Sequence, residues 1–234
     1  MTHFPSRSTK RRTFSRERAS GTTVASASGG TRGIAAVIGH RVVHVQFVPG
    51  MLSLFLDTVN DADINRMTRL RTELSSGEAI SPDLVQRFRD RFGDRVALDN
   101  TYGMTEASID STWHLCGPAD QAGSRGVPIG RPIDNVEAYV LDIALQPVPA
   151  GVTGQIYIGG VGLARGYLND PARTADVFVP NPHRQGARLY RTGDHGYCTS
   201  DGEIVFIGRV DNQVKIRGAR VCGGDGGRLG TRTR

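Results

Sequence analysis

Apolar positions follow two different rhythms along this chain. Before about residue 34 they are few and without period, so residues 1–33 are expected to be disordered. From Ile34 the texture changes. Val42-Val43-His44-Val45-Gln46-Phe47-Val48 reads as a buried strand closed by Pro49-Gly50, and Met51 to Val59 as a short apolar helix. Ser81-Pro82-Asp83 starts another helix. Ser caps free backbone N–H groups, Pro fits the first turn, and Asp complements the positive end of the dipole. Leu84, Val85, Phe88 and Phe92 follow at helical spacing, Gly93 stops the run, and Arg95 to Leu98 reads as a short strand. Strand, helix and strand in that order predict an α/β layer over about residues 42–110.

Beyond Gly126 short strands replace helical spacing, at Val136–Leu141, Gln155–Gly159, Leu189–Thr192 and Glu203–Ile207. Ser200-Asp201-Gly202 supplies a hairpin turn, and Asp170-Pro171 opens a short helix ending near Phe178. The expected fold class is α/β plus antiparallel β, the second part barrel-like and packed on the first.

Composition refines this picture in three respects. At 234 residues, 38% hydrophobic and 22% charged, the chain can bury one or two real cores. The net charge of +6 belongs to the start: residues 1–41 hold Arg7, Lys10, Arg11, Arg12, Arg16, Arg18, Arg32 and Arg41 against Glu17 alone, and the remainder is nearly neutral. Such an arm could release counterions from nucleic acid, with residues 7–18 as the contact, but it reads as a solvated tail, and no nucleic-acid partner is expected. Cys116, Cys198 and Cys222 are too far apart for a zinc motif or a disulfide framework, and no apolar run approaches the ~18 residues of a membrane span. A cytoplasmic protein without a membrane partner is expected.

Four stretches carry candidate chemistry. In Asn100-Thr101-Tyr102-Gly103-Met104-Thr105-Glu106 a strand ends in a tight bend followed by a hydroxyl and a carboxylate, suited to a phosphate and a hard cation, or simply to an exposed loop. In Gly154-Gln155-Ile156-Tyr157-Ile158-Gly159-Gly160-Val161-Gly162-Leu163-Ala164-Arg165-Gly166-Tyr167-Leu168 a strand runs into a Gly-rich segment, either a ligand loop or turns. In Tyr190-Arg191-Thr192-Gly193-Asp194 the carboxylate could accept two hydrogen bonds from a sugar diol, or cap a β-turn. The basic run in Gly208-Arg209-Val210-Asp211-Asn212-Gln213-Val214-Lys215-Ile216-Arg217-Gly218 could meet phosphates or edge an exposed strand.

Together, in this order, these stretches resemble the core motifs of adenylate-forming enzymes, above all the adenylation domains of nonribosomal peptide synthetases, over roughly residues 34–221. The resemblance implies the C-terminal part of the large subdomain of such an enzyme: an α/β portion over 34–125, a β-rich subdomain over 126–208, a hinge and the start of a C-terminal domain over 209–221, and a non-family tail over 222–234. It implies the joining of a carboxylate to ATP, giving an acyl-adenylate and pyrophosphate, with Mg²⁺, and transfer of the acyl group to the phosphopantetheine thiol of a peptidyl carrier domain.

By the same resemblance Thr105 contacts the α-phosphate and Glu106 holds the metal, both as catalytic residues. The nucleotide is bound by Gly77, Glu78, Asn100, Tyr102 (stacked on adenine), Gly103, Thr105, Asp194 (on the ribose) and Arg209. The amino-acid pocket includes Gln46, Leu74, Ser76, Thr101, Ile109 and Asp110, with Asp110 either pairing with a basic or hydroxylated substrate side chain or solvated in its loop. Asp211 matches the hinge. Met104 stands where many members have Pro, and Ser76 where many have Gly.

The Ser/Thr/Gly-rich phosphate loop and the late catalytic Lys of the family have no counterpart here. The resemblance therefore implies a piece of such a domain, inactive alone, with Arg/Gly/Ser/Thr-rich ends of the kind an out-of-frame reading produces. Two alternatives stay open: a relative that activates acids for coenzyme A, and a non-catalytic module that binds nucleotide or a partner.

Overall fold

The computed structural model describes residues 23–25, 31–124, 126–209, 213–216 and 219–222. The expected hinge residue, Asp211, and the tail beyond residue 222 lie outside the described residues.

The first unit is a six-stranded sheet in the order β1 (Thr23–Ala25), β2 (His44–Phe47), β3 (Thr72–Ser75), β4 (Ala97–Tyr102), β5 (Thr112–Leu115) and β6 (Arg131–Pro132). Its first four strands are parallel, and β5 and β6 run antiparallel to their neighbours. Helices separate the parallel strands, as the strand–helix alternation of the sequence predicts.

The segment expected to be disordered contributes a parallel strand, β1, and the start of helix α1 (Thr31–Gly39). A three-residue strand carries no visible period of its own, and its neighbours in the sheet supply the pairing. Pro49-Gly50, expected to close a strand, instead opens α2 (Pro49–Thr58). Proline lacks an N–H that the first helical turn leaves unpaired in any case.

Next, α3 (Asp61–Arg66) is capped by Asn60, whose side chain accepts from the Asp63 N–H at 2.9 Å. Helix α4 (Pro82–Phe92) is bounded as expected: Ser81 Oγ accepts from the Leu84 N–H at 3.2 Å, and Gly93 ends it at φ +55°.

Register decides which residues share a face. Val45 lies beside Glu73 and then Leu98; Phe47 lies beside Ser75 and then Asn100. Val45, Phe47 and Leu98 are buried in one cluster with Leu52, Phe55, Val85, Phe88 and Phe92 from α2 and α4. Phe88 and Phe92 stack at 4.9 Å between centroids, and Phe47 meets Phe55 at 5.1 Å.

The second unit is antiparallel. Its strands β7 (Val136–Leu141), β8 (Gly154–Gly160), β10 (Arg188–Cys198) and β11 (Ile204–Arg209) lie side by side in that order, with β9 (Phe178–Pro180) also paired to β10. Helix α5 (Pro171–Val177) precedes β9, and β12 (Gln213–Ile216) pairs with β13 (Ala219–Cys222). The second core joins the units, because Tyr102, Met104 and Ala107 from the first pack with Ile156, Ile158, Phe178, Tyr190 and Ile204. His114 adds a polar staple. Buried on β5, it lies 3.0 Å from Asp120 and 3.2 Å from Glu203, just before β11. Among the described residues no helix is long and apolar enough to cross a membrane.

Candidate functional site

The parallel strands β2, β3 and β4 end on one edge, and the candidate residues gather there. Crevices at the carboxyl ends of parallel strands are the usual ligand sites of open α/β sheets. Gln46 lies beside Leu74, and alternation along β3 and β4 puts Ser76 and Thr101 on the same face. Four of the six expected amino-acid-pocket residues are thus neighbours by register.

The other two, Ile109 and Asp110, lie on the loop that returns to β5. Gly103 lets that loop close, since a Cβ there would overlap the Ile109 carbonyl. The loop runs through left-handed backbone at Ser108 (φ 60°) and Ile109 (φ 78°). For a β-branched residue this conformation costs on the order of 1–3 kcal/mol. Within this edge Ser75 Oγ, Thr101 Oγ1 and Asp110 Oδ1 are buried without a hydrogen-bond partner. Buried polar atoms are nearly always paired, so Thr101 and Asp110 stand out here, whereas Ser75 lies on the opposite face with Phe47 and Asn100.

Asp194 reaches the same region from the second unit. The ladder between β10 and β8 shifts register between Arg191 and His195, and Gly193 takes φ +78°. Thr192 fastens the irregularity: its hydroxyl donates to the Ile156 carbonyl at 2.7 Å and accepts from the Asp194 N–H at 3.0 Å. Bulges of this kind re-aim a side chain.

Here the carboxylate points inward, where Tyr102 Oη donates to Oδ2 at 2.5 Å and Arg209 Nη1 donates to Oδ1 at 2.7 Å. Asp194 is 4% exposed, and Arg209 is its ion-pair partner. Each of its oxygens retains a second lone pair for a further donor. Burial first, and then the Asp194 charge, push the Tyr102 hydroxyl well above the ordinary phenol range, so it stays a donor. Tyr102 keeps 8% of its surface exposed and, in this geometry, holds Asp194 in place.

Thr105 is exposed at the start of a single 3₁₀ turn, Thr105–Ala107, that leaves the end of β4. Glu106, next to it, is buried and accepts from Tyr167 Oη at 2.7 Å. Its main chain is held too, since the Ala164 N–H donates to the Glu106 carbonyl at 2.8 Å and Ser108 Oγ donates to the Gly162 carbonyl at 2.7 Å. The Gly-rich stretch after β8 is thus the wall against which the Thr105-Glu106 turn rests.

Gly77 (φ 87°) and Glu78 follow β3 on the same edge, half-buried. Asn100 spends its amide inside the fold, donating to the Pro128 carbonyl at 2.7 Å. Tyr167 and Thr192 belong to the motifs, yet nothing in the sequence around either one points to a role. Their contacts, to Glu106 and across the bulge, span tens of residues and leave no local signal.

The sequence pattern of the AMP-binding enzyme family matches residues 19–168. The chain belongs to the AMP-binding enzyme family. That match begins inside the segment expected to be disordered, in agreement with β1.

Among its AMP-binding relatives, a linear gramicidin synthase of Brevibacillus parabrevis is 49% identical over 172 residues, covering 73% of this chain and 3% of the synthase. Phosphinothricin tripeptide synthetase PhsB of Streptomyces viridochromogenes is 43% identical over 209 residues, covering 83% of this chain and 17% of that protein. Among solved structures, holo-PA1221, a nonribosomal peptide synthetase protein containing adenylation and PCP domains, superimposes with a TM-score of 0.72 at 33% identity, over 80% of this chain and 32% of that one. This AMP-binding chain therefore resembles nonribosomal peptide synthetase adenylation domains in sequence and fold, and spans a small part of the synthetases it matches.

The residues present fit the groups that the AMP-binding family uses. Among the described residues no cluster of three His, Cys, Asp or Glu side chains could cage a metal ion. Mg²⁺, however, is commonly held by one or two carboxylates together with a nucleotide's own phosphates, and Glu106 beside the Thr105 hydroxyl offers a hard oxygen pair of that kind. Asp194, with a lone pair left on each oxygen, suits a diol.

Proposed function

We propose that this chain forms the nucleotide-binding core of an amino-acid-activating adenylation domain, which joins a carboxylate to ATP and passes the acyl group to a carrier thiol. One observation carries the reading: Tyr102, Asp194 and Arg209, from three separate motifs, meet in a single hydrogen-bonded set centred on the buried Asp194. An Asp spent only on a β-turn would not need a bulge, a partly buried arginine and a buried phenol to hold it.

In this reading Asp194 accepts from both ribose hydroxyls, and Arg209 fixes its orientation. Adenine lies between Tyr102 and the Gly77-Glu78 loop, and Thr105 donates to the α-phosphate. Glu106 and the nucleotide phosphates hold Mg²⁺, which when bound would neutralise phosphate charge and so favour attack at the α-phosphorus. The substrate side chain enters among Gln46, Leu74, Ser76, Thr101, Ile109 and Asp110. The buried, unpartnered Thr101 and Asp110 oxygens favour a side chain that donates hydrogen bonds. A peptidyl carrier as acceptor rests on the adenylation–PCP arrangement of PA1221.

The test is calorimetric titration of AMP into the chain and into its Asp194→Ala variant. Binding by the wild type and a loss of about tenfold or more in the variant support the reading, since a charge-assisted hydrogen bond is worth roughly 1.5–3 kcal/mol. Equal binding by the two chains, or no binding by either, refutes it.

A further inference from the structure

Tyr167 lies 61 residues from Glu106 in sequence, yet its hydroxyl donates to Glu106 Oε1 at 2.7 Å. The residue is held from behind by α5. The Tyr167 N–H donates to Thr174 Oγ1 at 2.9 Å, and the same Thr174 hydroxyl donates to the Asp170 carbonyl at 2.8 Å. Asp170 in turn caps α5, accepting from the Arg173 N–H at 3.0 Å. Arg173 lays its guanidinium over the Tyr167 ring, 4.1 Å from the centroid, and Phe178 meets the ring edge-on at 6.1 Å.

Gly166 makes this approach possible. It sits at φ +153°, and a Cβ there would run into the Thr174 side chain. Tyr167 is therefore gripped at its main chain, its ring face and its ring edge, and its hydroxyl, which also meets Tyr190, donates to Glu106.

We infer that Tyr167, braced by Arg173 and Thr174 of α5, is a positioning residue that holds the Glu106 carboxylate in its metal-binding orientation. The inference rests on the assignment of Glu106 to Mg²⁺ above. A carboxylate next to a phosphate must present one oxygen to the cation at a fixed angle. A donor on its other oxygen sets the plane of the group and opposes rotation. Partners of this kind behind a metal ligand are typically worth 10- to 100-fold in metal affinity. The cation over the ring face also favours phenolic donation to the carboxylate. A merely structural tyrosine would satisfy its hydroxyl on any acceptor; this one is spent on the buried carboxylate beside Thr105.

The test is Tyr167→Phe, which keeps ring, packing and the Arg173 contact and removes one oxygen. ATP binding to the full chain is measured with EDTA and with Mn²⁺ as a spin-active stand-in for Mg²⁺. The wild type is expected to bind ATP more tightly with Mn²⁺. The variant is expected to lose about tenfold of that metal-linked gain while binding metal-free ATP as the wild type does. An equal loss with and without metal marks a structural role and overturns the inference, as does an unchanged gain.

A wild-type chain that binds ATP no better with Mn²⁺ refutes the metal assignment itself, and the brace with it. A wild-type chain that binds no ATP refutes the nucleotide site. Should Tyr167→Phe not fold, the exposed Arg173→Gln carries the test: a reduced metal-linked gain supports the brace and a full one overturns it.

Discussion

Glu73 should be replaceable by leucine with a gain in stability that grows with pH. The residue sits in the central strand β3, 1% exposed, and its carboxyl has no side-chain hydrogen-bond partner. Burial pushes its pKa well above the usual 4.5, and the Asp99 charge pushes the same way. The Phe47 main chain offsets only part of this.

The folded chain therefore keeps a proton that the unfolded chain releases. With more protons bound in the folded state, stability falls as pH rises from 4.5 toward the raised folded value, by up to about 1.4 kcal/mol per unit. The buried carboxyl adds about 1–3 kcal/mol that leucine, similar in volume, does not incur. Urea unfolding followed by the fluorescence of Trp113, the one tryptophan of the chain, at pH 5, 6 and 7 reads this directly. Glu73→Leu should gain least at pH 5 and most at pH 7, with an unchanged dependence on urea. A variant less stable than the wild type at pH 7, or a gain flat with pH, refutes the reasoning.

The His114 staple stabilises the folded chain rather than burdening it, although its contribution too is lost as pH rises. Burial lowers the His114 pKa, but hydrogen bonds and charges from Glu203 and Asp120 outweigh it and the net direction is up, while Glu203 is held below its ordinary 4.5 by His114. The histidine contribution is full below 6.5 and lost as pH rises through the raised value; that of Glu203 is full above 4.5 and lost as pH falls through the lowered one. His114→Asn should thus cost about 2 kcal/mol in urea unfolding between those limits and progressively less in alkali. Ile109→Gly should stabilise the chain by about 1 kcal/mol in the same assay, because it relieves left-handed backbone at a side chain that is 69% exposed. Gly130→Ala should cost roughly 3 kcal/mol or more, since its φ is +82° and a Cβ would overlap the Trp113 carbonyl; a thermal midpoint equal to that of the wild type would contradict this.

Much of the local structure is written within a few residues. Ser81, Pro82 and Gly93 bound α4 through contacts close in sequence, and the runs at Val136–Leu141 and Leu84–Phe92 carry their periods openly. The motifs are legible too, because each holds its chemistry in one short stretch, and they lead to the family. Three things needed the tertiary structure. Strand β1 is too short to show a period and exists through its pairing with β2. Asp194 looks like any turn aspartate until the β10 bulge turns it onto Tyr102 and Arg209. Glu73 is buried only because flanking strands and helices close over it, and its own stretch carries no sign of that. Propensity and capping act over a few residues, whereas burial and the partner of a charge are set by chain segments brought together only on folding.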